Sequence, residues 1–150
     1  MSELSEFQIL LIDDQASDAK LFEYAMEQAG ARAKLFWVAT AEEGLELLRR
    51  EGRFTRVERP KLVVADLNMP GMNGFEFLIE KRKDPALAIV PVVVFSSSRS
   101  PQEIERAYQL GANSFITKPL SLENFVATIG MLVRYWLDVV ESPESCMAAD

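Results

Sequence analysis

The sequence predicts an α/β fold, a five-stranded parallel sheet with helices on both faces, and two observations lead there. Strand-sized apolar strings alternate with amphipathic segments, the pattern of strands joined by crossover helices. The strings are continuous rather than alternating, as strands covered on both faces require. With 150 residues, 49% hydrophobic and 26% charged, the chain has enough apolar material for one ordinary domain.

The strands are predicted at Phe7–Ile12, Ala33–Val38, Leu62–Ala65, Val90–Phe95 and Ser114–Ile116, the last being the least hydrophobic. In the first helix Phe22, Ala25, Met26 and Ala29 share one face, and Gly30 stands where a C-terminal glycine belongs. Thr40 with Glu43 opens the second helix and Asn73 with Glu76 the third, both as capping boxes. Asp84-Pro85 ends the third helix. Ser100, followed by Pro101 and Glu103, opens the fourth, which Gly111 closes. Ser121 caps the fifth, where Phe125, Ile129, Leu132, Val133 and Trp136 keep helical spacing. The stretch Arg49–Pro60 reads as a basic, solvated connector containing Gly52. Residues 7–141 are expected to form the single domain, with flexible tails at 1–6 and 142–150.

Charge and composition remove several functions. A net charge of −7 disfavours nucleic acid, whose partners carry basic faces. No apolar run approaches the ~18–20 residues that span a bilayer, and the start MSELSEFQ lacks a basic leader, so no membrane is predicted and the cytoplasm is expected. The chain has no histidine, which excludes Ser-His-Asp and Cys-His machinery and any role as a histidine phosphodonor. The one cysteine, Cys146, cannot form an internal disulfide and reads as a solvated tail thiol.

Chemistry in an open parallel sheet gathers where strands end at their carboxyl edge. Asp13 and Asp14 end the first strand and Asp66 the third. Brought together, these carboxylates repel one another, and a hard divalent cation relieves that repulsion; Mg²⁺ is the expected species. A carboxylate such as Asp66 can also attack phosphorus and form an acyl phosphate, which needs cationic help rather than a base. Ser96 ends the fourth strand with a hydroxyl, and Lys118 follows the fifth with an ammonium. Pro119 after it stiffens the loop and allows a cis peptide bond. Singly, each residue reads as a cap, a turn or a solvated side chain. In this order at successive strand ends, they form a trap for one phosphoryl group.

The segments LLIDDQ, VVADLNMPGMNG, VPVVVFSSS and GANSFITKPL carry those residues, and with them the chain resembles the receiver domains of two-component response regulators, over residues 7–130. The intervals from Asp66 to Ser96 and to Lys118 agree with that family. The resemblance implies a flavodoxin-like, doubly wound (βα)5 fold with an extended C-terminal helix. It implies that Asp66 is the phosphoacceptor, fed by a sensor histidine kinase, and that Asp13, Asp14, Asp66 and the main-chain carbonyl of Asn68 hold Mg²⁺. Ser96, Lys118 and the Ser97 amide would bind phosphoryl oxygens. The family's aromatic switch position is Phe115 here, without the phenol hydroxyl that many relatives carry. Gly71 and Gly74, with Pro70, suit a tight loop after the third strand. The finer forms ADLNMPGMNG, VVVFSSS and RYWL, with the long connector, resemble small receivers that partner bacterial phytochromes.

The sequence is expected to carry no effector segment after the receiver, and output is expected through its own surface, the fourth and fifth helices. Leu132, Val133, Trp136, Val139 and Val140 extend an apolar stripe along the last helix, and Leu132, Val133, Trp136 and Val140 are the expected homodimer interface; the alternative is that the stripe folds back on its own domain. The chain is not expected to be a turnover enzyme. Haloacid-dehalogenase-type phosphatases share a strand-end Asp nucleophile, but they need a second Asp two residues later, where Asn68 stands. A pseudo-receiver that binds its partner without phosphorylation is the other competing class.

Overall fold

A computed structural model describes residues 7–143, so Cys146 and the segments 1–6 and 144–150 lie outside the described residues. Strands β1 (Phe7–Ile12), β2 (Ala33–Val38), β3 (Leu62–Ala65), β4 (Val92–Ser96) and β5 (Ser114–Thr117) alternate with helices. These are α1 (Ala16–Gln28), α2 (Ala41–Arg49), α3 (Gly74–Lys83), the single turn α4 (Pro85–Ala88), α5 (Pro101–Gln109) and α6 (Leu122–Arg134). The sheet is wholly parallel in the order β2-β1-β3-β4-β5, which is the flavodoxin-like arrangement. Chain order reverses between β1 and β3, and that is where a doubly wound sheet opens a crevice.

Strand side chains alternate between two cores. Leu10, Ile12, Val63, Ala65, Val92 and Val94 face the side covered by Leu45 and Leu48 of α2, Phe77 and Leu78 of α3 and Ala107 of α5. Ile9, Leu11, Leu62, Val64, Val93 and Phe95 face Phe22 and Met26 of α1 and Phe125 and Ile129 of α6. Burial on both faces is why β1, β3 and β4 read as continuous apolar strings.

Most predicted caps form. Thr40, Asn73, Ser100 and Ser121 each accept a backbone N–H from the first helical turn, and Asn73 with Glu76 makes the reciprocal pair. Asp84 ends α3 and also opens α4, its carboxylate accepting the Ala86 amide at 3.0 Å. The fourth strand starts at Val92 rather than Val90, because that turn occupies the preceding residues. Arg50 closes α2 in the left-handed region (φ 57°), and the connector then makes a short 3₁₀ turn, Gly52–Phe54, that buries Phe54. No peptide bond is cis among the described residues, so the cis possibility at Lys118-Pro119 is not realised.

The end of the chain corrects the expected dimer stripe. Beyond α6 the helix widens into one π-helical turn, Tyr135–Val139. Leu132, Val133 and Trp136 are buried among α1 and sheet residues, and Val140 packs against the same cluster. Leu132, Val133 and Trp136 are core residues and Val140 is half-buried, because the stripe folds back on its own domain. The apolar side chains left facing outward are Met131 (67% exposed), Tyr135 (54%) and Val139 (65%).

Candidate functional site

Backbone pairing fixes the two acid-bearing strand ends side by side. Ile12 lies opposite Ala65, and the Asp66 amide donates to the Ile12 carbonyl at 3.0 Å, so Asp13 and Asp66 leave the sheet together. Asp13 is held on three sides. Its amide donates to Val38 O at 3.1 Å, its carboxylate accepts the Gln15 amide at 2.8 Å, and its carbonyl accepts the Trp37 indole N–H at 2.7 Å. Asp66 Oδ1 accepts the Leu67 amide at 2.7 Å. Gly74 brings α3 against this strand end: a Cβ there would stand 2.4 Å from the Asp66 carbonyl oxygen. Glycine is required at 74 by close approach, and at Gly71 by φ of +75°.

Carboxylate oxygens of Asp13, Asp14 and Asp66 lie within 4.8 Å of one another. Lys118 is delivered to them from β5, where its amide donates to Ser96 O at 2.8 Å. Its ammonium donates to Asp66 Oδ2 at 3.2 Å, Asp13 Oδ2 at 2.8 Å and Asp18 Oδ2 at 2.7 Å. The Phe95 ring lies 5.7 Å from the same nitrogen. Burial alone would lower the lysine pKa. The hydrogen bonds to Asp13 and Asp18 and the charges of Asp66 and Asp13 outweigh it and hold the ammonium above the ordinary lysine range. Asp13 moves the other way from a simple ion pair. Burial raises its pKa, and the bonds from Lys118 and the Gln15 amide only partly offset that.

The structure therefore gathers Asp13, Asp14, Asp66 and Lys118 at one point. Ser96 ends the neighbouring strand, fully buried, and its hydroxyl accepts the Ser98 amide at 3.2 Å. Ser98 continues into a small network: its hydroxyl pairs with Glu103, and its carbonyl accepts Thr117 Oγ1 at 3.2 Å. Asn68 follows Asp66 in the exposed β3–α3 loop, and Ser97 is exposed beside Ser96. Phe115 is half-buried on β5 against the α2–α5 core, and its amide donates to the Tyr108 phenol oxygen at 3.1 Å.

Asp18, Trp37 and Tyr108 were not singled out by the sequence. Asp18 is an acid in the first turn of α1, and its approach to a residue 100 positions away depends on how α1 docks. The fully apolar Leu-Phe-Trp run gave no hint that Trp37 would bond the Asp13 carbonyl.

A doubly wound parallel sheet with an acid cluster at its β1/β3 switch point and a lysine from β5 defines a class, the phosphoacceptor receivers. The description "Response regulator receiver domain" matches residues 9–130, and the chain belongs to that family. It is a response regulator of two-component signalling. Among its relatives, the probable methanogenesis regulatory protein FilR2 of Methanothrix harundinacea is 34% identical over 91% of this chain and 88% of its own. The crystal structure of the phosphorylated cyanobacterial phytochrome response regulator RcpA superposes with a TM-score of 0.87, at 31% identity, covering 93% of this chain and 99% of that one. The Mn²⁺-bound form of response regulator Rcp1, from Synechocystis, superposes with a TM-score of 0.84, at 27% identity, covering 91% and 99%.

Proposed function

We propose that residues 7–141 act as one receiver that takes a phosphoryl group from a partner histidine kinase onto Asp66. The observation that carries this is the ion pair from Lys118 to Asp66 inside a cluster of three acids at the strand tips. An Asp66 carboxylate oxygen attacks phosphorus of a phosphohistidine. The P–N bond breaks as the P–O bond forms, and the electron pair leaves with the imidazole, whose other ring nitrogen already carries a proton, so that it departs neutral. Lys118 supplies positive charge where the phosphoryl oxygens arrive. Ser96 offers a hydroxyl once it turns from the Ser98 amide, and the Ser97 amide offers a second donor. Phosphate later leaves by attack of water on phosphorus, which returns the carboxylate, so the chemistry is confined to the protein's own side chain.

The acid cluster suits a divalent cation on its own evidence. Asp14 Oδ1 is buried without a hydrogen-bond partner among the described residues, and a cation at the cluster would satisfy it. Oxygen-only donors of this kind select Mg²⁺. Asp13, Asp14, Asp66 and the Asn68 carbonyl would hold Mg²⁺, which would supply positive charge against the phosphoryl oxygens.

The RcpA likeness supports a bacterial phytochrome as the kinase. No helix among the described residues is long and apolar enough to cross a membrane, in keeping with a cytoplasmic site of action. The signal leaves through α5, β5 and α6, with Phe115 as the aromatic that responds. A symmetric homodimer fits Met131, Tyr135 and Val139, which line up on one face beside a groove of ≈ 440 Å³ between α6 and the end of α1.

The test is intact-mass measurement after incubation with acetyl phosphate and Mg²⁺. The wild-type chain gains one phosphoryl group and Asp66→Asn gains none. Labelling that survives the substitution moves the site elsewhere, and an unlabelled wild type leaves a phosphorylation-independent adaptor.

A further inference from the structure

The Lys118 ammonium has three N–H bonds and three carboxylate partners, but the partners are not equivalent. Asp13 and Asp66 belong to the acid cluster, the part of the site that would hold a cation and, on the proposed function, receive the phosphoryl group. Asp18 lies outside that cluster, in the first turn of α1, yet makes the shortest of the three contacts, 2.7 Å against 2.8 Å and 3.2 Å. Its side chain keeps 26% exposure and Lys118 only 11%, so Asp18 closes the pocket from the solvent side while Phe95 bounds it from below. A contact between two side chains 100 positions apart is also a tie between α1 and the β5–α6 loop.

We propose that Asp18 is a positioning residue for phosphotransfer: it holds the Lys118 ammonium over the strand tips while Asp13 and Asp66 exchange their partners. The inference rests on Asp66 being the phosphoacceptor. In the resting state all three N–H bonds are spent on carboxylates. As Asp66 becomes an acyl phosphate and Asp13 turns to the cation, two of those bonds are released to phosphoryl oxygens, and the Asp18 bond stays. Without Asp18 the ammonium leans wholly on Asp13 and Asp66, where it competes with the cation and is poorly placed for the phosphoryl group.

The experiment is a double-mutant cycle of Asp18→Asn and Lys118→Met with two readouts, the rate of phosphorylation by acetyl phosphate and Mg²⁺ affinity from tryptophan fluorescence. Trp37, bonded to the Asp13 carbonyl, provides the optical signal. In the Lys118 background, Asp18→Asn is expected to slow phosphorylation about tenfold and weaken Mg²⁺ binding several-fold, at roughly the cost of one charge-assisted contact. Asp18→Glu, which keeps the carboxylate, recovers most of both. In the Lys118→Met background, Asp18→Asn is expected to change neither by more than about twofold. Wild-type rates in Asp18→Asn overturn the proposal, and so do equal losses in both backgrounds, which make Asp18 a general charge or a fold element. A wild type that takes no phosphoryl group defeats the phosphoacceptor reading instead, and the Mg²⁺ arm still decides whether Asp18 acts through Lys118.

Discussion

At the scale of single residues, Asp13 is the group whose protonation governs the pocket. Burial raises its pKa above the ordinary value of 3.8, so between those two values the folded chain binds more protons than the unfolded one. The metal-free protein therefore loses stability as pH rises through that window. A cation must displace the Asp13 proton, so Mg²⁺ affinity is expected to climb with pH through the same window and level off above it. Titrations followed by tryptophan fluorescence at a series of pH values test this; affinity that stays flat as pH rises above the ordinary carboxylate value would count against it. The convergence of Asp13, Asp14, Asp66 and Lys118 was legible because strand ends are readable from apolar runs and a parallel sheet brings its carboxyl ends together. Asp18 was not, because its partner is fixed by the docking of a helix rather than by position along a strand.

At the scale of elements, turn chemistry was the most readable feature, since a cap needs only a few neighbouring residues. Arg50 escaped it: a left-handed helix end commonly announces itself with glycine, and here arginine takes the conformation. The C-terminal stripe was read correctly as helical but assigned to the wrong neighbour. Periodicity says which residues share a face and not whether α1 of the same chain or a second chain covers it. Trp136, at 9% exposure, now belongs to the core. In the β3–α3 loop, Gly74 leans on the Asp66 carbonyl. Gly74→Ala is expected to force backbone apart at Asp66, costing about 1–3 kcal/mol and slowing phosphorylation. Chemical denaturation with a parallel labelling assay checks both, and unaltered stability and labelling would show that the loop yields freely.

At the scale of the whole molecule, strand order does the functional placing. Reversal between β1 and β3 opens the crevice, and β4 and β5 add the hydroxyl and the ammonium on one side of it. Fold class and strand order were within reach of the sequence; the faces left exposed were not. If a second copy covers Met131, Tyr135 and Val139, then Tyr135→Glu is expected to shift sedimentation toward monomer with the fold intact. Trp136→Ala is expected to destabilise the monomer by about 3–5 kcal/mol. Unchanged sedimentation of Tyr135→Glu would remove this face from any dimer.

The phenol of Tyr108 carries one more consequence. β5 is the last strand of its sheet, and an uncovered edge of this kind invites a foreign strand to continue the ladder. Because the Phe115 amide is already given to the Tyr108 oxygen, a stranger chain finds that rung taken. A single aromatic hydroxyl thus occupies one outward main-chain donor on this edge of the sheet.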